Sequence, residues 1–336
     1  MGNSLKICLV GFGNSGQEFC RLILNREPDI KITAIATKSK GNLLCDKGID
    51  IEKVLNEIEV KNQFSLDNPC RVEMCTEDII KRSGADVLIE LSTLSIKDGQ
   101  PAIFHIETAL NNNMHVITAN KGPLAWDFKR LEKLAREKSK KFLYETTVMD
   151  GAPIFNLVKY TLPGCKVLSF KGILNSTTNF ILEEMEQGKD YEAAIKEAQR
   201  RGFAEADPSI DVDGWDAAAK TAAISNVLLG GEITPLDVNT QGIGAITNHM
   251  IEEARLNGNK FKLICEGYIE AGKVIAKVYP KLVPVTDMLS TIDATSSILC
   301  ITTDLMGEVC IVEKNPEIQQ TAYGIYSDLI NLSKDI

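Results

Sequence analysis

The run GFGNSG at Gly11–Gly16 constrains the fold most, because of what flanks it. It follows the apolar, strand-length segment Lys6–Val10 and precedes Gln17–Asn25, where Phe19, Leu22 and Ile23 recur at helical spacing. A strand, a glycine turn and a helix in that order open a dinucleotide-binding unit. Gly11 permits the tight turn, Gly13 lets the backbone approach a pyrophosphate, and Gly16 permits close helix packing. The helix N-terminus adds N–H donors and a positive dipole. Downstream, Ile30–Ala36 predicts a second strand, Asp86–Leu91 (DVLIEL) a buried one, Ile103–Asn111 a helix and His115–Thr118 a further strand. Such alternation predicts a parallel, doubly wound sheet.

From about Phe142 the pattern changes. Longer apolar strands, Val167–Leu174 and Val274–Val278, alternate with helices around Asp190–Arg201 and Asp216–Leu229. The fold class expected is therefore α/β, an N-terminal Rossmann domain over residues 1–140 followed by a second, α+β domain over 141–317. A last helix, patterned from Tyr323 to Leu332 within 318–336, is expected to return to the first domain. A chain of 336 residues suits two domains.

Bulk properties narrow the ligand. A net charge of -9 argues against nucleic acid or an anionic membrane as partner, since either would need clustered Lys and Arg. Nine cysteines, an odd number without a CxxC motif, predict reduced core thiols in a cytoplasmic protein. The N-terminus has no signal-peptide apolar region, and no stretch reaches the 18 or so apolar residues that span a bilayer.

The second strand lacks the usual ribose-binding Asp or Glu at its end. Thr37-Lys38-Ser39-Lys40 stands there instead, a set that suits a 2′-phosphate and favours NADP over NAD, or that is simply a solvated loop. The densest polar segment is GFAEADPSIDVDGWDAAAK (Gly202–Lys220), which crowds Glu205, Asp207, Asp211, Asp213 and Asp216 together. So many like charges call for a cation among them. Asp211 or Asp213 is expected to cap the following helix, and Asp216 and Lys220, four apart, share one face of it. That pair is either an ordinary ion pair on a capped helix or half of a site for an amino-bearing ligand. The spacing of an EF-hand is absent. Lys121, in Thr118-Ala119-Asn120-Lys121-Gly122-Pro123, follows an apolar strand at the edge where doubly wound sheets bind ligands. From the residues alone, a dehydrogenase of another small amino or hydroxy acid and a non-catalytic nucleotide sensor would share the first domain.

Taken in order, GFGNSG, ITANKGPLA (Ile117–Ala125), YETTVMDGAP (Tyr144–Pro153), GILNSTTNFIL (Gly172–Leu182) and GFAEADPSIDVDGWDAAAK make the chain resemble the homoserine dehydrogenases over almost its whole length. The resemblance implies reversible NAD(P)-dependent oxidation of L-homoserine to L-aspartate 4-semialdehyde, the branch step toward threonine, methionine and isoleucine. It implies Lys220 as catalytic acid and base and Lys121 as a second lysine at the reacting centre. Glu205 and Asp216 would hold the substrate's ammonium and hydroxyl ends, with Asp211 nearby and Asn175 and Thr177 lining the pocket. The cofactor set comprises Gly11, Phe12, Gly13, Asn14, Ser15, Gly16, Thr37, Lys38, Ser92, Thr93, Asn120 and Lys121. Glu145, Val148, Asp150 and Ala152 fall where the family binds a monovalent cation, Na+ or K+, mostly through backbone carbonyls. A homodimer formed through the second domain's sheet is also implied. The chain departs from the family in ending at Ile336, which leads us to expect a short form without a regulatory module. It departs again in carrying Val312-Glu313-Lys314-Asn315-Pro316-Glu317 where a glycine-rich segment ordinarily closes over the cofactor.

Overall fold

The computed structural model describes residues 4–27 and 29–334. Residues 1–3, 28, 335 and 336, which the expected Rossmann domain and its returning helix include, lie outside the described residues. The chain divides into two compact units. The first comprises Met1–Pro123, Asp127–Gly151 and Glu317–Ile336, and the second Leu124–Trp126 and Ala152–Pro316.

The first unit holds strands β1 (Lys6–Val10), β2 (Lys31–Ala36), β3 (Asn42–Leu44), β4 (Arg71–Val72), β5 (Val87–Glu90), β6 (His115–Thr118) and β7 (Phe142–Leu143). They form one seven-stranded sheet in the order β4-β3-β2-β1-β5-β6-β7. β1 pairs in parallel with β2 and β5, and the parallel run continues through β6 to β7. The doubly wound sheet is thus present. One edge differs from expectation, because β2, β3 and β4 pair antiparallel. β3 and β4 are too short to show a period in sequence. The chain leaves β1 for β2 on one side and later adds β5 on the other, so the strand order switches at the β1–β5 boundary. A crevice opens at the carboxyl ends of strands at such a point.

Between the strands run α1 (Asn14–Arg26), α2 (Ile51–Lys61), α3 (Thr76–Arg82), α4 (Ala102–Asn111) and α5 (Gly122–Glu137). All four residues of β5 are buried, as expected for a strand covered on both faces. Ile7, Leu9, Phe19, Ile35, Ile89 and Ile117 share one core. Each such side chain stabilises the fold by about 1.5–3 kcal/mol relative to exposure.

The second unit contributes β8 (Val167–Ile173), α6 (Ser176–Glu186), α7 (Tyr191–Arg200), α8 (Ser209–Val212), α9 (Trp215–Leu228), β9 (Asn239–Thr240), α10 (Asn248–Leu256), β10 (Asn259–Glu270), β11 (Lys273–Pro284), β12 (Ser297–Thr303) and β13 (Gly307–Glu313). Its sheet has six strands in the order β13-β12-β8-β10-β11-β9. α9 is buried over Ala217–Ala219 and again at Ala222 and Ala223, small residues that let it lie close on β10, where Cys265 Sγ stands 4.0 Å from the Ala217 carbonyl oxygen.

Two expectations are corrected here. Cys300 and Cys310 form a disulfide, because antiparallel pairing of β12 with β13 sets them directly opposite one another. A spacing of ten residues hides this. The other seven cysteines are free, and burial pushes the Cys8 thiol up to about 12 and the Cys265 thiol up to about 11, so these behave as core thiols. The second correction concerns α9, which begins at Gly214 in the left-handed conformation (φ 87°) without a side-chain cap. Asp211 is drawn elsewhere, as described below. Among the described residues no helix is long and apolar enough to cross a membrane.

The last helix, α11 (Ile318–Ser333), belongs to the first unit. Ala322, Ile325, Leu329 and Leu332 form its apolar stripe and join the core of Phe19 and Ile23. Buried Asp328 accepts the Glu145 N–H at 2.9 Å, and Tyr326 donates its hydroxyl to Glu27 at 2.7 Å. The 145–150 loop meets this helix at Gly324, where an added Cβ would stand 2.7 Å from Thr146 Cβ and 2.9 Å from the Asp150 carbonyl oxygen. Gly324→Ala should gain about 1 kcal/mol of helix propensity and lose about 1–3 kcal/mol to overpacking. A net loss of unfolding free energy in denaturant titration is expected; a stabilised variant would show that the loop is free to retreat.

Candidate active site

The dinucleotide end is built on backbone. Gly11 has φ 100°, donates its N–H to the Ala36 carbonyl at 2.9 Å, and lies so close to β5 that a Cβ would stand 2.3 Å from the Leu91 carbonyl oxygen. A Cβ at Gly16 would meet the Gly11 carbonyl oxygen at 3.0 Å, whereas one at Gly13 would meet nothing within 4 Å. These are the contacts expected of a turn residue, a helix-packing residue and a residue facing open space. Gly13 is also the N-cap of α1 and has no side-chain cap, so no side chain competes for the first-turn N–H groups that suit a phosphate. Phe12 is buried against Phe64, with ring centroids 5.6 Å apart, and thus anchors the loop from below. Asn14 and Ser15 open the helix.

The loop after β2 is a hairpin turn. Thr37 donates its hydroxyl to the Gly41 carbonyl at 2.6 Å and accepts the Lys40 N–H at 2.9 Å, so this side chain shapes the turn. Lys40 reaches Asn62, while Lys38 is exposed. At the end of β6, Asn120 braces two segments. Its amide donates to the Ser92 carbonyl at 3.0 Å and its oxygen accepts the Gly122 N–H at 2.9 Å. Lys121, half-buried, sits between those anchor points as the N-cap of α5, and Thr93 is exposed just past Ser92.

The second unit gathers a compact polar cluster around Asn175. This residue caps α6, its side-chain oxygen accepting the Thr178 N–H at 2.8 Å, and its amide donates to Asp211 at 2.7 Å and to Asp216 at 3.0 Å. Lys220 Nζ lies 3.5 Å from Asp216 Oδ2 and donates to the Leu174 carbonyl at 2.6 Å. Thr177 donates to the Phe203 carbonyl at 2.7 Å and adjoins Asp211. Burial raises the Asp211 carboxyl above its ordinary range; the Asn175 amide counters this, neighbouring Asp216 adds to it, and Lys220 opposes it. A cation arriving here would relieve the repulsion between the two carboxylates. Glu205, by contrast, is exposed, and its side chain makes no hydrogen bond among the described residues. Only its carbonyl is engaged, by Gln199 at 3.1 Å.

In the candidate cation loop, Glu145 and Val148 are buried, and Asp150 has φ 38° with its carboxylate accepting the Thr321 hydroxyl at 2.6 Å. Ala152 opens the longer segment of the second unit and is buried. Reading the sequence missed the Leu174 carbonyl, which presents no side-chain signal. It also missed Glu90 and His105, buried residues inside strand and helix patterns that otherwise read as apolar.

A dinucleotide sheet in one unit and a lysine–carboxylate cluster in the other define an NAD(P)-dependent oxidoreductase acting on a small polar substrate. Residues 11–145 match the family model described as the NAD-binding domain of homoserine dehydrogenase, and residues 153–330 match the model described as homoserine dehydrogenase. The chain is 37% identical to a homoserine dehydrogenase of Methanocaldococcus jannaschii, covering 98% of each chain. It is 33% identical to an NAD(+)-dependent homoserine dehydrogenase of Pseudomonas canavaninivorans, covering 97% of this chain and 96% of that one. A hyperthermophilic archaeal homoserine dehydrogenase in complex with NADPH shares the fold, with a TM-score of 0.85 at 23% identity, over 99% of this chain and 98% of that one. The chain belongs to the homoserine dehydrogenase family.

The raised Asp211 carboxyl fixes the sign of a pH effect. The unfolded chain releases this proton first, near the usual carboxylate pKa of about 3.9, so the folded protein loses stability as pH rises from there through the raised folded value. Asp211→Asn should remove that decline, with thermal midpoints of variant and parent converging at low pH and the variant higher at neutral pH. A variant less stable at pH 7 would contradict it.

Proposed function

We propose that this chain interconverts L-homoserine and L-aspartate 4-semialdehyde with NAD(P), toward threonine, methionine and isoleucine. The observation that carries this reading is the Asn175–Asp211–Asp216–Lys220 cluster, which joins an anionic seat for an ammonium to a fixed amine. When bound, the nicotinamide supplies or removes the hydride. Asp211 and Asp216, held by the Asn175 amide, bind the substrate's ammonium, with Glu205 as a further carboxylate. Lys220, fixed by the Leu174 carbonyl, donates a proton to the aldehyde oxygen as charge develops there, and accepts it from the hydroxyl in the reverse direction. Lys121 is assigned as a second lysine by its place in ITANKGPLA. Because oxidation of the hydroxyl hands a proton to the base, homoserine oxidation should quicken as pH rises above neutrality.

On the cofactor side we assign Gly11–Gly16, Thr37, Lys38, Ser92, Thr93, Asn120 and Lys121, with NADP preferred because Lys38 is exposed where a ribose carboxylate partner would stand. Because the Asp150 carboxylate is engaged by Thr321, Na+ or K+ in the 145–152 loop would be held through main-chain carbonyls. We further assign a cytoplasmic homodimer joined through the second unit's sheet. Val312 and half-buried Ile275 stand on its face opposite α9. Seven free cysteines suit a reducing compartment, and the Cys300–Cys310 bridge does not.

The test is absorbance at the reduced-nicotinamide band during homoserine oxidation with NADP and NAD, in sodium, in potassium and in neither. Lys220→Ala should lower kcat by about a hundredfold or more, the scale of a lost general acid or base. An unchanged kcat removes Lys220 from the role. Lys38→Ala should raise the KM for NADP by about tenfold, the loss of one charge-assisted contact, and leave that for NAD unchanged. Equal effects on both would exclude a 2′-phosphate contact.

A further inference from the structure

Glu90 closes β5 at the switch point with 0% of its surface exposed. Its Oε1 accepts the Ser92 N–H at 3.2 Å and stands 3.3 Å from His105 Nδ1 on α4, while its Oε2 has no hydrogen-bond partner among the described residues. An apolar residue would fill the same space without the cost of burying a carboxylate with an unmet oxygen. The contacts around it form a closed ring. The Ser92 carbonyl accepts the Asn120 amide at 3.0 Å, the Asn120 N–H donates to the Thr118 hydroxyl at 3.0 Å, and that hydroxyl donates to the Glu90 carbonyl at 3.2 Å. Asn120 then holds the Gly122 N–H at 2.9 Å, so the Ala119–Asn120 and Lys121–Gly122 peptides, which bracket Lys121, are both tied to this ring. Its other side touches the glycine turn, since a Cβ at Gly11 would meet the Ser92 nitrogen at 3.0 Å.

We propose that Glu90, backed by His105, is a positioning residue that orients the Ser92 peptide and, through Asn120, sets the backbone that carries Lys121. What Glu90 contributes is an acceptor at one place. The inference rests on the reading of Lys121 as a lysine of the reacting centre. It explains why a carboxylate stands inside an otherwise apolar strand, and why Asn120 spends its amide on another loop's backbone.

The experiment compares Glu90→Leu, Glu90→Gln, Asn120→Ala and Lys121→Ala in the homoserine assay, with thermal midpoints measured without ligand. Glu90→Leu, which removes the acceptor but fills the space, should lower kcat by about tenfold or more without lowering the midpoint, since small displacements near reacting groups are costly. Glu90→Gln keeps an acceptor oxygen and should stay within about threefold of the parent, as one retained hydrogen bond predicts. Asn120→Ala, which breaks the same chain one link further on, should reproduce the loss. The double variant with Glu90→Leu should be no worse than the poorer single one, because the two act in series. A Glu90→Leu protein with parental kcat, a Glu90→Gln protein as impaired as Glu90→Leu, or multiplicative losses in the double variant would each overturn the proposal. If Glu90→Leu does not fold, Glu90→Gln with Asn120→Ala decides in the same way. An unaffected Lys121→Ala would instead overturn the reading of that lysine, with the parental enzyme still active.

Discussion

The close approach of Gly11 to the end of β5 is the constraint on which the dinucleotide end depends. With 2.3 Å between a hypothetical Cβ and the Leu91 carbonyl oxygen, no side chain fits there. The left-handed turn that follows brings Gly13 to open space and lets Gly16 seat α1 against the same turn. The helix dipole and its uncapped N–H groups are then aimed at the crevice as a consequence of sheet packing. Affinity for a dinucleotide phosphate is in this sense a by-product of how β1, β5 and α1 pack.

The second unit solves a different problem with one side chain. Asn175 uses its oxygen to start α6 and its amide to hold Asp211 and Asp216 together against their repulsion. Asp211 is thereby not left to cap α9, whose N-cap is Gly214 instead. A single amide therefore links helix initiation to the electrostatics of the pocket. The Asp211 carboxyl, lifted by burial and by its neighbour, is the cost of keeping the seat ready for a cation.

How much of this was legible follows from the kind of signal each part leaves. β1, β2, β5 and β6 are apolar, largely buried runs, and α1 and α4 carry apolar residues at helical spacing, so these could be read directly, whereas α2 and α5 were not read. The β3–β4 edge could not, since strands of three and two residues carry no period. The pairing of Asp216 with Lys220 was visible as a four-residue interval, but the convergence of Asn175 on Asp211 joins residues 36 apart in sequence and needs the tertiary fold. Glu205 shows the converse: it stands in the richest motif, yet its side chain is exposed and makes no hydrogen bond among the described residues. The Cys300–Cys310 bridge and the Glu90 ring were hidden for a similar reason, since strand register and a buried acceptor leave no mark on composition.

The return of α11 to the first unit has a consequence for the order in which the molecule can be completed. Ala322, Ile325, Leu329 and Leu332 belong to the same core as Phe19 and Ile23, although some 300 residues separate them in the chain. As the polypeptide emerges from its N-terminus, the second unit's six strands are all made before that core has its last wall. The domain that begins first is therefore the one that finishes last. Through this stage of synthesis the α1 surface that α11 will cover stays open, a vulnerable interval set by topology.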